Sequence, residues 1–335
     1  MRLLVTGGAG FMGSNFVRYM AKKYSDIKIL VYDKLTYAGR IENLKEVLDK
    51  NKVSLIRADI CDQEKLEETV KNFQPDIIVN FAAETHVDRS INEPAPFIRT
   101  NVFGVYNILE TLRRHDNIKL IHISTDEVYG DRWGRGPADE ETAFKPSSPY
   151  SASKASGDLF CQAYWKTYRV PVIIVRPSNN YGPYQYPEKL IPRTIIRALH
   201  NRPIPIYGSG GQIRDWLYVE DFSRAIELLI HKGRIGEQYN LPGMNERKNI
   251  EVVKKILEIM NKPLSLIVHV EDRPGHDRMY SMKGDKIMKL GWRPVTPWEE
   301  GLRKTVKWYL ENEWWWRPLL TDDYFEEDTP WRPRK

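Results

Sequence analysis

Cysteine is scarce: the 335 residues include two, Cys61 and Cys161. Two thiols in so long a chain make no disulfide framework. Neither sits in a Cys-x-x-Cys pair or beside histidines at zinc spacing, so no metal site and no thiol catalysis are expected. Long apolar runs are missing as well. No stretch approaches the roughly 20 residues that cross a bilayer. The apolar run within Met1–Thr6 is too short for a secretory leader, and a cytoplasmic protein without membrane contact is expected. Internal repeats and low-complexity segments are absent. The net charge is +6, yet lysines and arginines are interleaved with Glu and Asp. That dispersion argues against nucleic acid as a partner, while the mild positive field suits small anionic ligands.

What is present is an ordinary globular composition, 41% apolar and 29% charged, with length enough for two lobes. In the first half, β-rich runs alternate with amphipathic stretches. Strands are expected at Leu3–Thr6, Ile27–Tyr32, Ser54–Arg57, Ile77–Phe81, Leu120–Ser124 and Val172–Arg176. Helices are expected at Tyr150–Tyr168 and at Phe97–Leu112, where Ile98, Val102, Val105, Leu109 and Leu112 recur at steps of four and three. Such alternation predicts an α/β fold, a doubly wound parallel sheet, over residues 1–176. From residue 177 Pro, Gly and aromatics become frequent, and a smaller C-terminal lobe is expected over 177–335, with the chain crossing back to the first domain. Its helices are placed near Glu188–His200, Val219–His231 and Asn249–Asn261. The tail carries Trp308, Trp314, Trp315, Trp316 and Trp331, read as aromatics that anchor the segment to the body, with a ligand platform as the alternative.

Gly7, Gly10 and Gly13 follow the first strand and open a helix near Phe11. The turn needs unusual backbone angles, a Cβ would block a pyrophosphate, and the helix N-terminus offers free N–H groups to that anion. Asp33 follows the second strand, where an acid accepts the adenosine ribose hydroxyls and repels a 2′-phosphate. The pattern marks a Rossmann-type site and favours NAD over NADP, with the adjacent Lys34 as the discordant note. Asp59 and Ile60 follow the third strand, where an adenine could be flanked. Small residues Ala82 and Ala83 end the fourth, which suits either close cofactor approach or plain packing.

Tyr150 and Lys154 are four apart at a helix start and share one face. A phenol is a poor base at neutral pH, and the ammonium is expected to favour its ionised form, making the pair a base for a sugar hydroxyl. Ser124-Thr125-Asp126-Glu127 follows the fifth strand, at the sheet end that lines the ligand crevice. Eliminating water beside a ketone needs a base for a C–H and an acid for the leaving hydroxyl, and two carboxyls in different surroundings divide those roles.

With these blocks in place the sequence resembles the extended short-chain dehydrogenase/reductases, and within them the dTDP-glucose 4,6-dehydratases. The resemblance runs through Thr6–Asn15, Asp33–Gly39, Ala82–Ser90, Ser124–Gly130, Ser148–Lys154, Ser178–Gln185, Pro187–Pro192, Arg214–Leu217 and Asp272–Asp277. It implies conversion of dTDP-glucose to dTDP-4-keto-6-deoxyglucose with NAD regenerated, in deoxysugar or rhamnose synthesis. Tyr150 would act on the 4-hydroxyl, with Thr125 bonded to that oxygen. Glu127 would be the C5 base and Asp126 the acid for the C6 hydroxyl. It also implies NAD contacts from Phe11, Met12, Asp33, Lys34, Leu35, Thr36, Asp59, Ile60, Ala82, Ala83, Thr100, Tyr150, Lys154 and Asn179. Nucleotide-sugar contacts would come from Thr85, Thr125, Asn180, Lys189, Leu190, Pro205, Ile206, Tyr207, Arg214, Asn249, Arg273 and His276. Among these, Arg214 suits a diphosphate and Tyr207 could stack on the base. Thr85 departs from the usual Ser, and Phe81 from a smaller aliphatic. A homodimer paired through helices such as Phe97–Leu112 and Tyr150–Tyr168 is implied too, although the apolar stripe of the first could equally face its own sheet.

A 4-epimerase or decarboxylase would share Gly7–Gly13, Tyr150 and Lys154 without needing Asp126 and Glu127. A non-catalytic NAD-sensing regulator would need none of the proton-transfer set. The choice between thymidine and uridine nucleotides stays open.

Overall fold

The computed structural model describes residues 1–49, 51–115 and 117–332. Among these residues twelve strands follow in chain order: β1 Arg2–Thr6, β2 Lys28–Asp33, β3 Val53–Arg57, β4 Ile77–Asn80, β5 Lys119–Ile123, β6 Val172–Pro177, β7 Asn179–Tyr181, β8 Ile204–Tyr207, β9 Ile213–Tyr218, β10 Gln238–Leu241, β11 Glu246–Lys248 and β12 Ile267–Val270. Seven of them form the main sheet in the order β10-β6-β5-β4-β1-β2-β3, and every pairing is parallel. This is a Rossmann-type doubly wound sheet. The order reverses between β1 and β4, where such sheets open a crevice at their carboxyl ends. Both faces are covered, as a parallel sheet requires. Leu3 and Val5 point into one core with Phe16 and Phe222, and Leu4 points into the other with Ile108 and Leu109.

The strand expectations differ from the structure by a residue at several ends, as fraying termini do. From the later part of the chain, β10 extends the main sheet beside β6, and the helix Val219–Lys232 packs against the helix Phe11–Lys23. The second-lobe helices run Leu190–Leu199, Val219–Lys232 and Asn249–Ile259.

One helix departs from its periodic reading. The stretch expected as Phe97–Leu112 is helical in three pieces: Ala95–Ile98, a π segment Arg99–Gly104, and Val105–Arg114. A π turn takes in an extra residue, so residues on its two sides fall out of phase. Val105, Leu109 and Leu112 are buried, but Ile98 is 60% exposed.

The remaining strands form a three-stranded sheet β11-β9-β7 and a two-stranded sheet β12-β8. They frame a third core of Tyr181, Ile195, Trp216, Trp298, Trp315 and Trp316. The tail tryptophans 315, 316 and 331 are buried, whereas Trp314 is half exposed. Trp315 donates its indole N–H to Asn43 Oδ1 at 2.7 Å, pinning the tail to the first lobe. No helix among the described residues is long and apolar enough to cross a membrane.

Candidate active site

Two cavities of about 280 and 190 Å³ lie side by side along the carboxyl ends of the main sheet. They share Thr85, Glu127, Asn179, Asn180, Gln185, Glu188 and Lys189, so they form one cleft.

The glycine turn shapes the first cavity. Gly7 sits at φ +67°, and a Cβ there would come within 2.4 Å of the Ala82 amide nitrogen. A Cβ at Gly13 would come equally close to the Gly7 carbonyl, so this glycine lets helix and turn touch. At Gly10 the nearest protein atom would be 3.4 Å away, because this residue faces the cavity. The helix Phe11–Lys23 begins with no side-chain cap and no acid in its first turn. Its positive end is therefore left for an anion. Asp33 is buried beside it, accepting from the amides of Ala9 at 2.9 Å and Leu35 at 2.8 Å. Burial raises the Asp33 pKa, and those two bonds oppose the rise. Lys34 is drawn to Asp59 at 2.8 Å, which answers the doubt it raised about a 2′-phosphate site.

The chemistry-bearing residues meet where β5 ends. Thr125 caps the short 3-10 helix Asp126–Tyr129, its hydroxyl accepting from the Glu127 amide at 3.3 Å and donating to Asp126 Oδ1 at 3.2 Å. Gly130 at φ +66° ends that helix, where a Cβ would collide with the Lys145 carbonyl. The two carboxyls have different surroundings. Asp126 is buried with Oδ2 lacking a partner. Burial, then the neighbouring charges of Glu127 and Asp215, hold its pKa well above the carboxylate range. Glu127 is half-buried. Burial raises its pKa too, but Arg273 and Arg214 oppose the rise, and Tyr280 donates to its Oε2 at 3.3 Å.

Tyr150 and Lys154 lie on the helix Pro149–Tyr168. Proline at its first position and a reciprocal Ser148–Ser151 capping box start that helix. Tyr150 and Thr125 line the same cavity, so both can address one oxygen. The expected effect of Lys154 on the phenol is not what the structure shows. Burial, followed by Glu127, pushes the phenol well above its ordinary pKa, with Thr125 opposing. The Lys154 ammonium instead donates to the Ile123 carbonyl at 2.7 Å. Burial lowers its pKa to about 8, with Asp158 opposing.

In the second cavity positive charge gathers. Lys189, Arg214 and Arg273 line it with His276, whose pKa is lowered by burial and then by Arg273 and Arg214. Arg214 lies over the Tyr280 ring at 4.1 Å and donates to the Ile213 and Asp277 carbonyls at 2.8 and 3.0 Å. Tyr207 donates to Asp88 at 3.0 Å, and Arg273 holds the other Asp88 oxygen at 2.8 Å.

All residues singled out as cofactor contacts line the first cavity except Leu35. Its left-handed φ of 57° turns its amide onto Asp33, and its side chain packs on the first core. Thr125, Asp126, Glu127, Tyr150 and Lys154 line the first cavity as well. The substrate candidates other than Thr125 line the second. Sequence reading passed over Asp88, Glu188 and Tyr280. The first two lay inside the recognised blocks Ala82–Ser90 and Pro187–Pro192. Nothing local to Tyr280 marks it.

The family model described as GDP-mannose 4,6 dehydratase matches residues 4–305. The chain belongs to this family. Among its relatives, a probable dTDP-glucose 4,6-dehydratase of Sinorhizobium fredii (strain NBRC 101917 / NGR234) is 48% identical over 98% of both chains. The dTDP-glucose 4,6-dehydratase of Bacillus anthracis str. Ames, solved in complex with NAD, superposes with a TM-score of 0.90 at 47% identity. That match covers 95% of this chain and 99% of that one. The Streptomyces venezuelae dTDP-glucose 4,6-dehydratase, solved with NAD and TYD bound, gives a TM-score of 0.92 at 44% identity, covering 95% and 100%.

Proposed function

We propose that this chain is a dTDP-glucose 4,6-dehydratase, a hydro-lyase that holds NAD along the first cavity and the nucleotide sugar along the second. The observation that carries the reading is the carboxyl pair Asp126 and Glu127, Asp126 buried at the wall of the first cavity and Glu127 lining both cavities, the second of them together with Arg214 and Arg273. A 4-epimerase has no use for such a pair. The glycine turn, the uncapped helix end and Asp33 suit NAD, whose pyrophosphate would meet the amides after Gly10 and whose ribose would meet Asp33. Residues 1–176 would supply most of that site, and residues 177–335 most of the sugar-nucleotide site.

NAD supplies a reversible hydride acceptor; the rest falls to the protein. Tyr150 takes the proton of the sugar 4-hydroxyl, with Thr125 bonded to the same oxygen. Lys154, one helical turn from Tyr150 on the wall of the same cavity, would help hold NAD and would lend positive charge to the buried phenol. Once C4 is a ketone, Glu127 removes the acidified C5 proton. Asp126, held protonated by burial, gives its proton to the C6 hydroxyl, which leaves as water. The Glu127 carboxyl then returns a proton to C5 as hydride reaches C6. Lys189, Arg214 and Arg273 face the diphosphate, and Tyr207 lies against the base.

A homodimer fits the apolar side chains left outside: Ile98, Phe103 and Tyr106 on one helical stretch, Leu159 and Phe160 on the next, all more than a third exposed. Sedimentation of the wild type against Phe103→Glu tests this, with a shift to monomer expected. A cytoplasmic site of action and a step in deoxysugar synthesis complete the proposal. Mass spectrometry of dTDP-glucose and UDP-glucose incubated with the protein and catalytic NAD tests the activity. Loss of one water from the thymidine sugar supports it, and an unchanged mass with an epimerised hexose refutes it.

A further inference from the structure

The family match stops at residue 305, yet the chain beyond it is held tightly. After the helices Trp298–Glu311 and Glu313–Trp316 it runs back over the junction of the two lobes. Asp322 takes Arg89 at 2.6 Å and the Tyr186 hydroxyl at 3.1 Å. Phe325 is fully buried. Its carbonyl accepts from Arg193 at 3.2 Å and from Arg197 at 2.9 Å. Asn92 donates to the Pro330 carbonyl at 2.8 Å, and Arg332 pairs with Glu271. The segment is thus strapped to the helix Val87–Asn92 of the first lobe and to Leu190–Leu199 of the second.

The strap ends on the nucleotide side of the cleft. Trp331, 3% exposed, meets the Tyr207 ring nearly edge-on, with centroids 4.3 Å apart and planes at 70°. Tyr207 lines the second cavity; Trp331 does not. The Tyr207 ring is therefore fixed from two sides, its hydroxyl by Asp88 at 3.0 Å and its ring by the indole. Asp88 also orients Arg273. Without the indole the ring would regain rotational freedom about that single hydrogen bond, and binding would have to remove it again.

We propose that Trp331 is a positioning residue for nucleotide recognition: it presets the Tyr207 ring against which the base of a nucleoside diphosphate lies. The inference rests on the reading of the second cavity as the nucleotide site. Because Tyr207 lies away from Thr125, Asp126 and Tyr150, which line the other cavity, the effect falls on binding and not on chemistry.

The test compares wild type, Trp331→Ala and Trp331→Phe, each loaded with NAD, by calorimetry with dTDP and by steady-state dehydration of dTDP-glucose. Loss of one aromatic contact is expected to weaken dTDP by about 3- to 10-fold in the alanine variant and to raise KM by the same factor. kcat should stay within about 2-fold, and phenylalanine should recover most of the affinity. Unchanged Kd and KM in the alanine variant, or a fall confined to kcat, overturns the inference. Should the alanine variant fail to fold, proteolysis of the wild-type tail decides. Saturating dTDP should slow its cleavage, because binding and strap closure are linked; an unaffected rate overturns the inference. A wild type that binds no dTDP refutes the nucleotide reading itself, whereas normal wild-type binding with no effect of Trp331 refutes only the role of the strap.

Discussion

The two halves of the cleft are built differently. The first is shaped largely by backbone: a glycine turn and a bare helix end after β1, with small residues at the end of β4. The second is made of side chains brought from far apart in sequence, with Asp88 from the first lobe holding Tyr207 and Arg273 from the second. A backbone site tolerates little change in shape but recognises only a pyrophosphate and ribose. A side-chain site can be retuned residue by residue, and specificity belongs there. Asp126 and Tyr150 line the first half, and Glu127 lines both.

The sharpest break in this picture comes at that junction. Glu127→Gln keeps the shape and removes the proposed base, and turnover should fall by about 10²–10⁴-fold, with NAD and dTDP affinity little changed by calorimetry. A variant that still dehydrates within a few-fold of wild type would move the base elsewhere. In the backbone half, Gly7→Ala forces a side chain onto a left-handed φ and against the Ala82 amide. Stability should drop by about 1–3 kcal/mol, read as a lower melting temperature, and NAD binding should be lost with it. Asp33→Ala removes a charged acceptor from the same half. NAD affinity should fall by about 10–100-fold, the worth of a charge-assisted hydrogen bond, while dTDP binding stays as it was.

The smallest effect expected is on the pH profile. Burial lowers the Lys154 pKa to about 8, so its ammonium is present below that pH and lost above it. If this charge helps Tyr150 shed its proton, kcat/KM should decline as pH rises through about 8. Lys154→Arg, whose guanidinium does not titrate there, should remove that limb. For stability the sign is the reverse. The depressed pKa means that the unfolded chain binds more protons between the folded value of about 8 and the ordinary lysine value of 10.5, so this group makes stability rise with pH across that window.

The backbone half was the more legible in sequence because its requirements are local. A glycine that must avoid Ala82 and an acid at the end of β2 fall at fixed intervals along the chain. The carboxyl pair was legible for the same reason, lying directly after β5. The side-chain half could be read only through family resemblance, since nothing near Tyr207 announces that Asp88 and Trp331 will close on it. Asp88 and Glu188 went unnoticed because their partners are supplied by topology, not by spacing. The π segment at Arg99–Gly104 escaped for a different reason: an inserted residue shifts a hydrophobic period without changing its composition, and only Ile98 turning outward reveals it.

The most direct measurement is mass spectrometry of dTDP-glucose incubated with catalytic NAD and either the wild type or Glu127→Gln. Loss of one water with no net NADH in the wild type, and a much slower loss in the variant, is the expected result. An unchanged mass with inverted C4 stereochemistry, equal in both proteins, would contradict the role assigned to Asp126 and Glu127.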